Sequence, residues 1–193
     1  MEHFVKLVEA LAWPSAAVWL GYLFSGEIRK LLGRVSTLKY RDLEAKFEKG
    51  LVAAEDEAKK VIPAKAKGDF IGNEPVYPSP YKDRYEQLLR IADESPRASL
   101  LEAWMEVEDS LVTTSEKFGI NHSRRFPPRN AVLELINTGK YAKKILPLFE
   151  ELRDLRNEAA HAPQFVPSKS QTRRYLQMAI ELSLALQNPL EIN

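Results

Sequence analysis

Positions 152–161 read Leu-Arg-Asp-Leu-Arg-Asn-Glu-Ala-Ala-His, and on a helix Arg156, Asn157 and His161 fall within about one and a half turns. These three side chains suit phosphate chemistry. An arginine presents a planar, permanently charged fork that clamps phosphate oxygens. The neighbouring asparagine can orient the phosphate, and an imidazole with an unperturbed pKa of about 6.5 can take up or release a proton near neutral pH. The chain contains no cysteine, which excludes disulfides, thiol nucleophiles and zinc-finger ligand sets. Its histidines, at positions 3, 122 and 161, have no metal-ligand spacing, so the sequence calls for no metal and no cofactor.

The helix that carries these residues has a readable face. At about 100° per residue, Ile145, Leu148, Phe149, Leu152, Leu155 and Ala159 form one apolar side, with Arg156 at its edge and Asn157 and His161 opposite. Packing the apolar side inward turns Asn157 and His161 outward, so a single copy presents half of a site. Ala159, Ala160 and Ala162 are small enough to let two backbones approach closely.

Arg156-Asn157-x-x-x-His161 resembles the R-x(4–6)-H signature, with a polar residue after the arginine, of the HEPN superfamily of small helical bundles. The longer pattern Leu-Arg-x-Leu-Arg-Asn-x-x-x-His is similar to that of bacterial members, and the resemblance covers residues 96–187. It implies a metal-independent endoribonuclease in which a ribose 2′-hydroxyl attacks the adjacent phosphate. His161 would act as general base or acid, Arg156 would stabilise the phosphorane-like transition state, and Asn157 would position phosphate or imidazole. It also implies a homodimer through the Arg156–His161 helix, RNA as substrate, and an antitoxin or defence-system partner in a toxin-like or phage-defence role. Many HEPN modules keep the scaffold without cleaving, so a silent module binding RNA or a partner protein at the membrane is the alternative. One subgroup carries a tyrosine two residues after the histidine. Position 163 here is proline, so nucleotidylation of such a tyrosine does not carry over.

The residues also admit a structural role. Arg156 at a core edge could pair with Glu108 of the preceding helix, and His161 could cap a helix C-terminus.

With 28 basic and 27 acidic residues the net charge is +1, so no global field draws in nucleic acid and any RNA contact must be local. Basic residues gather at three predicted helix starts: Arg124, Arg125 and Arg129; Lys140, Lys143 and Lys144; and Lys169, Arg173 and Arg174. Cations at helix N-termini oppose the macrodipole, so local helix stability does not explain them, and RNA phosphates could. Scattered surface lysines and arginines are the competing reading. Phe126, Tyr141 and Tyr175 could stack on bases, although helical spacing favours Tyr175 as a core or interface residue.

The elements that must position this site are all-α: a HEPN-like four-helix bundle preceded by an N-terminal hydrophobic helix and a charged helix. Residues 1–26 contain the uncharged run 10–24, which rises about 22 Å as a helix against a hydrocarbon core about 30 Å thick. Extension to residues 4–24 reaches spanning length by including Lys6 and Glu9, which can snorkel. Trp13, Trp19 and Tyr22 suit an interfacial belt, and Arg29, Lys30, Arg34, Lys39 and Arg41 follow the run. The expectation is a single-pass anchor in a bacterial inner membrane with the C-terminal part cytoplasmic. A buried or interfacial helix is the alternative.

Residues 27–62 form a charged amphipathic helix with Ile28, Leu31, Leu32, Val35 and Leu38 as its stripe, and the later charges read as a solvated face. Residues 63–80, with Pro63, Gly68, Gly72, Pro75, Pro78 and Pro80, read as a stiff linker from which 81–193 folds independently. Within 81–193 the pattern is helical throughout: 81–93; 96–117, started by Ser95-Pro96 and stopped at Gly119; 129–138, stopped by Gly139; 140–160; and 168–187. No two-residue strand period and no internal repeat is visible.

Overall fold

The computed structural model describes residues 2–61, 69–71, 74–120, 127–162 and 164–189. His122, Arg124, Arg125, Phe126 and Pro163 lie outside the described residues, as do the side chains of Lys6, Glu9, Arg29, Lys30, Arg34 and Lys39. The regular structure among the described residues is helical apart from two three-residue strands. In order come α1 (Glu2–Val61), β1 (Asp69–Ile71), β2 (Glu74–Val76), α2 (Tyr81–Glu94), α3 (Pro96–Lys117), α4 (Pro128–Asn137), α5 (Ile145–His161) and α6 (Lys169–Gln187). It divides into two compact units, Met1–Leu43 and Glu44–Asn193.

In the first unit the run 10–24 is helical throughout, with Pro14 inside α1. Trp13, Val18, Trp19, Leu20, Tyr22, Leu23 and Phe24 are exposed. Among the described residues no helix is long and apolar enough to cross a membrane.

In the second unit α6 is the central helix. Every residue from Met178 to Leu186 is buried, as expected of a helix surrounded on all sides rather than amphipathic. It packs most extensively on α3 and also meets α2 and α5. Ser168 starts it with a capping box, its hydroxyl accepting from Gln171 while the Gln171 side chain accepts from the Ser168 amide. Trp104 of α3 lies against Phe149 of α5, ring centroids 5.0 Å apart. Helix α3 starts as the sequence indicates, with the Ser95 hydroxyl accepting from the Ala98 amide and Pro96 in the first turn. Just past its end comes Gly119, where φ is +67° and the Ile120 amide bonds back to Ser115 and the Gly119 amide to Glu116, a Schellman arrangement.

The division between units falls inside α1, not in the Pro/Gly-rich stretch. Phe47, Leu51, Ala54, Ala58 and Val61 are buried, spaced three and four apart, so the last third of α1 belongs to the core of the second unit. The charged face expected to be solvated is partly engaged. Glu48 and Glu55 hold Arg174, Glu48 also accepts from Gln171, and Lys46 pairs with Glu158 at 3.1 Å. Gly50 lets α1 approach closely, since a Cβ there would sit 2.9 Å from Leu155 Cδ2. Within the expected linker, β1 and β2 pair antiparallel with Phe70 opposite Pro75. Tyr77 and Tyr81 beyond them are buried, the Tyr77 ring standing edge-on to Tyr85 at 5.2 Å. The chain from Tyr77 onward is thus part of the folded unit and not an extended connector.

Candidate functional site

Helix α5 buries Ile145, Leu148, Phe149, Leu152, Leu155 and Ala159, the apolar side read from its spacing. That packing sets the position of the polar group. Arg156 and Asn157 are half-buried at the edge of the stripe, and Arg156 Nη1 donates to Asn157 Oδ1 at 2.9 Å. Arg156 Nε is buried without a hydrogen-bond partner. His161, the last residue of α5, is exposed. The structure therefore joins Arg156 to Asn157 directly and presents the imidazole to solvent about one turn further along.

Arg156 also faces the core. Burial pushes the Tyr175 phenol above its ordinary value, while the Arg156 charge lowers it and Glu108 raises it. Glu108 itself accepts from the Trp104 indole at 2.7 Å. Among the described residues the Arg156 hydrogen bond goes to Asn157 and not to Glu108.

The turn that bears His161 is tied on several sides. The Ala162 amide donates to the Glu158 carbonyl at 3.1 Å, and the Phe165 amide to Ala162 at 3.0 Å. Phe165 is buried against Phe47. Arg97 of α3 donates from Nη2 to the Ala160 carbonyl at 3.0 Å. No family model, curated protein or solved structure matches this chain. The chemistry of the site must therefore be argued from its own residues.

Sequence reasoning missed Arg97, Lys46 and Phe47. Arg97 carried a usable signal, because a cation in the first turn of α3 opposes that helix's own dipole and invites a partner elsewhere. Phe47 carried one too, in the three-and-four spacing that the surrounding charges obscured.

The basic residues separate into groups. Arg174 is half-buried and engaged with Glu48 and Glu55, so it joins α6 to α1 instead of offering itself to RNA. Arg129 pairs with Glu150, and Lys169 with Asp93 at 3.2 Å. Lys143 and Lys144 are exposed at the start of α5, a helix length of about 24 Å from His161. Arg173 is exposed in the first turns of α6, close in sequence to the turn that follows His161. Lys140 lies 4.8 Å over the Phe118 ring. Tyr141 and Tyr175 are core residues whose hydroxyls donate to the carbonyls of Leu186 and Leu152, so neither is placed to stack on a base.

Proposed function

We propose that the chain is a membrane-tethered, metal-independent endoribonuclease of the HEPN type, with a toxin-like or phage-defence role. The observation that carries this reading is the Arg156–Asn157 hydrogen bond on the half-buried edge of α5, with His161 exposed at the end of the same helix. A guanidinium, an amide bonded to it and a solvent-facing proton carrier are groups suited to promoting 2′-hydroxyl attack on phosphorus. The 2′-hydroxyl gives up its proton to one imidazole and forms the bond to phosphorus. The 5′-oxygen leaves and takes a proton from a second imidazole, and Arg156 carries the charge that builds on the phosphate oxygens. The second imidazole comes from another copy of the chain, paired through the α5 face that bears Asn157, Ala160 and His161.

Attachment to a bacterial inner membrane, with the second unit cytoplasmic, is part of the proposal. It rests on the uncharged run 10–24 and its exposed Trp13, Trp19, Tyr22 and Phe24. Of the basic residues, the exposed Lys143, Lys144, Lys169 and Arg173 are the proposed RNA contacts, with Lys169 exchanging its surface pair with Asp93 for a phosphate.

A second reading has its own observation. The buried Nε of Arg156 and its place beside Tyr175 favour a scaffold role for Arg156, as in a silent module that binds RNA or a protein. Incubation of the full-length protein with labelled RNA in excess chelator separates the two. Turnover supports the nuclease, and binding without turnover supports the module.

A further inference from the structure

We propose that Arg97 is a positioning residue of this site, holding the last turn of α5 and with it the His161 imidazole; this rests on the reading of His161 as the proton carrier. Arg97 follows the Ser95 cap and Pro96 at the start of α3. Its Nη2 donates at 3.0 Å to the carbonyl of Ala160. That carbonyl lies in the last turn of α5, where carbonyls run out of intrahelical donors and an outside donor can satisfy them. It belongs to the peptide that joins Ala160 to His161, so the bond acts on the backbone from which the imidazole projects.

The electrostatics point the same way. A guanidinium in the first turn of α3 is disfavoured by the dipole of its own helix, whereas at the C-terminus of α5 it meets the negative end. The bond from Arg97 to the end of α5 is therefore favourable to both helices. Neighbouring ties hold the same stretch of chain. Ala162 is bonded to Glu158, Glu158 pairs with Lys46, and Phe165 is anchored on Phe47. These contacts lie on either side of His161, and the Arg97 bond falls on the peptide immediately before it. An exposed catalytic imidazole needs such a hold, because a displacement of about 1 Å can cost about 100-fold in rate.

The test uses the full-length protein and two variants. Arg97→Met keeps the methylene stem and removes the donors, and Arg97→Lys restores a charged donor. Hydrogen exchange of peptides spanning 156–166 should rise about 10-fold or more in Arg97→Met, with peptides from α4 and the middle of α6 unchanged. On RNA, kcat should fall about 10- to 100-fold with KM unchanged, and Arg97→Lys should recover part of it. Unchanged exchange at 156–166 in Arg97→Met would overturn the inference, as would unfolding of both variants, which would assign Arg97 to the core. If wild-type protein leaves RNA intact, the nuclease reading fails by itself, and the exchange measurement still decides whether Arg97 holds the turn.

Discussion

Phe47 of α1 and Phe165, in the turn that follows His161, stack with ring centroids 5.1 Å apart and planes tilted by 52°, both fully buried. The pair ties a helix that enters from the N-terminal unit boundary to the loop that leaves the candidate site. Residues 44–61 are thus as much a part of the site's scaffold as α5 itself.

Removing that tie should be costly. Phe47→Ala empties a fully buried aromatic position, for which losses of about 3–5 kcal/mol are usual, and should lower the melting temperature accordingly. A chain comprising residues 44–193 should unfold cooperatively. One comprising 81–193 should bind a hydrophobic dye and lack a cooperative transition, because Leu155 and Phe165 would be uncovered. Equal stability of the two fragments, followed by circular dichroism, would contradict this.

Glu151 should weaken the fold at neutral pH. Burial, and then the charges of Asp154, Glu57 and Glu150, raise its carboxyl above the ordinary value. A carboxyl raised on folding favours the folded state below its unfolded pKa, and that advantage is lost as pH rises through the folded value. Glu151→Gln should therefore melt higher than wild type at pH 7, and the difference should close as pH falls toward the ordinary carboxylate range. Thermal melts across that range check both the sign and the trend.

Glu48 behaves oppositely. Hydrogen bonds from Arg174 and then Gln171 hold its carboxyl below the ordinary value, outweighing burial. The stability it contributes is present above the unfolded pKa and is lost as pH falls through the folded one. Because the pair is partly exposed, Glu48→Gln should cost about 1 kcal/mol or less at pH 7. Chemical denaturation should show that cost vanishing at the acid end.

Location is tested by fractionation. The full-length protein should sediment with membranes and a chain comprising residues 44–193 should remain in the supernatant, since the exposed Trp13, Trp19, Tyr22 and Phe24 belong to the first unit. Sedimentation of neither, without detergent, would remove the anchor.

Much of the second unit was legible because its punctuation is strong. Ser95-Pro96 starts α3, Gly119 and Gly139 follow the ends of α3 and α4 with positive φ, and the stripe of α5 has the helical period. The last third of α1 was less legible. Only Phe47 and Leu51 are large among its first buried positions, Ala54 and Ala58 are small, and the charges between them dominate the pattern. The β1–β2 pair was hidden by its three-residue strands and by Pro75. In the site, Arg156 and Asn157 were legible as neighbours on one helix. Arg97 was not placed, because its partner is a backbone carbonyl 63 positions away. Arg174 looked like the basic residues beside it, since only packing against Glu48 and Glu55 distinguishes it.

The most direct measurement is the cleavage of end-labelled RNA by purified full-length wild type, His161→Ala and Arg156→Ala, with folding of each confirmed by thermal melt. The wild type should cleave in excess chelator and leave 2′,3′-cyclic phosphate ends, and each substitution should reduce the rate by about 100-fold or more. Undiminished cleavage by folded His161→Ala, or RNA left intact by the wild type under every condition, would contradict the account.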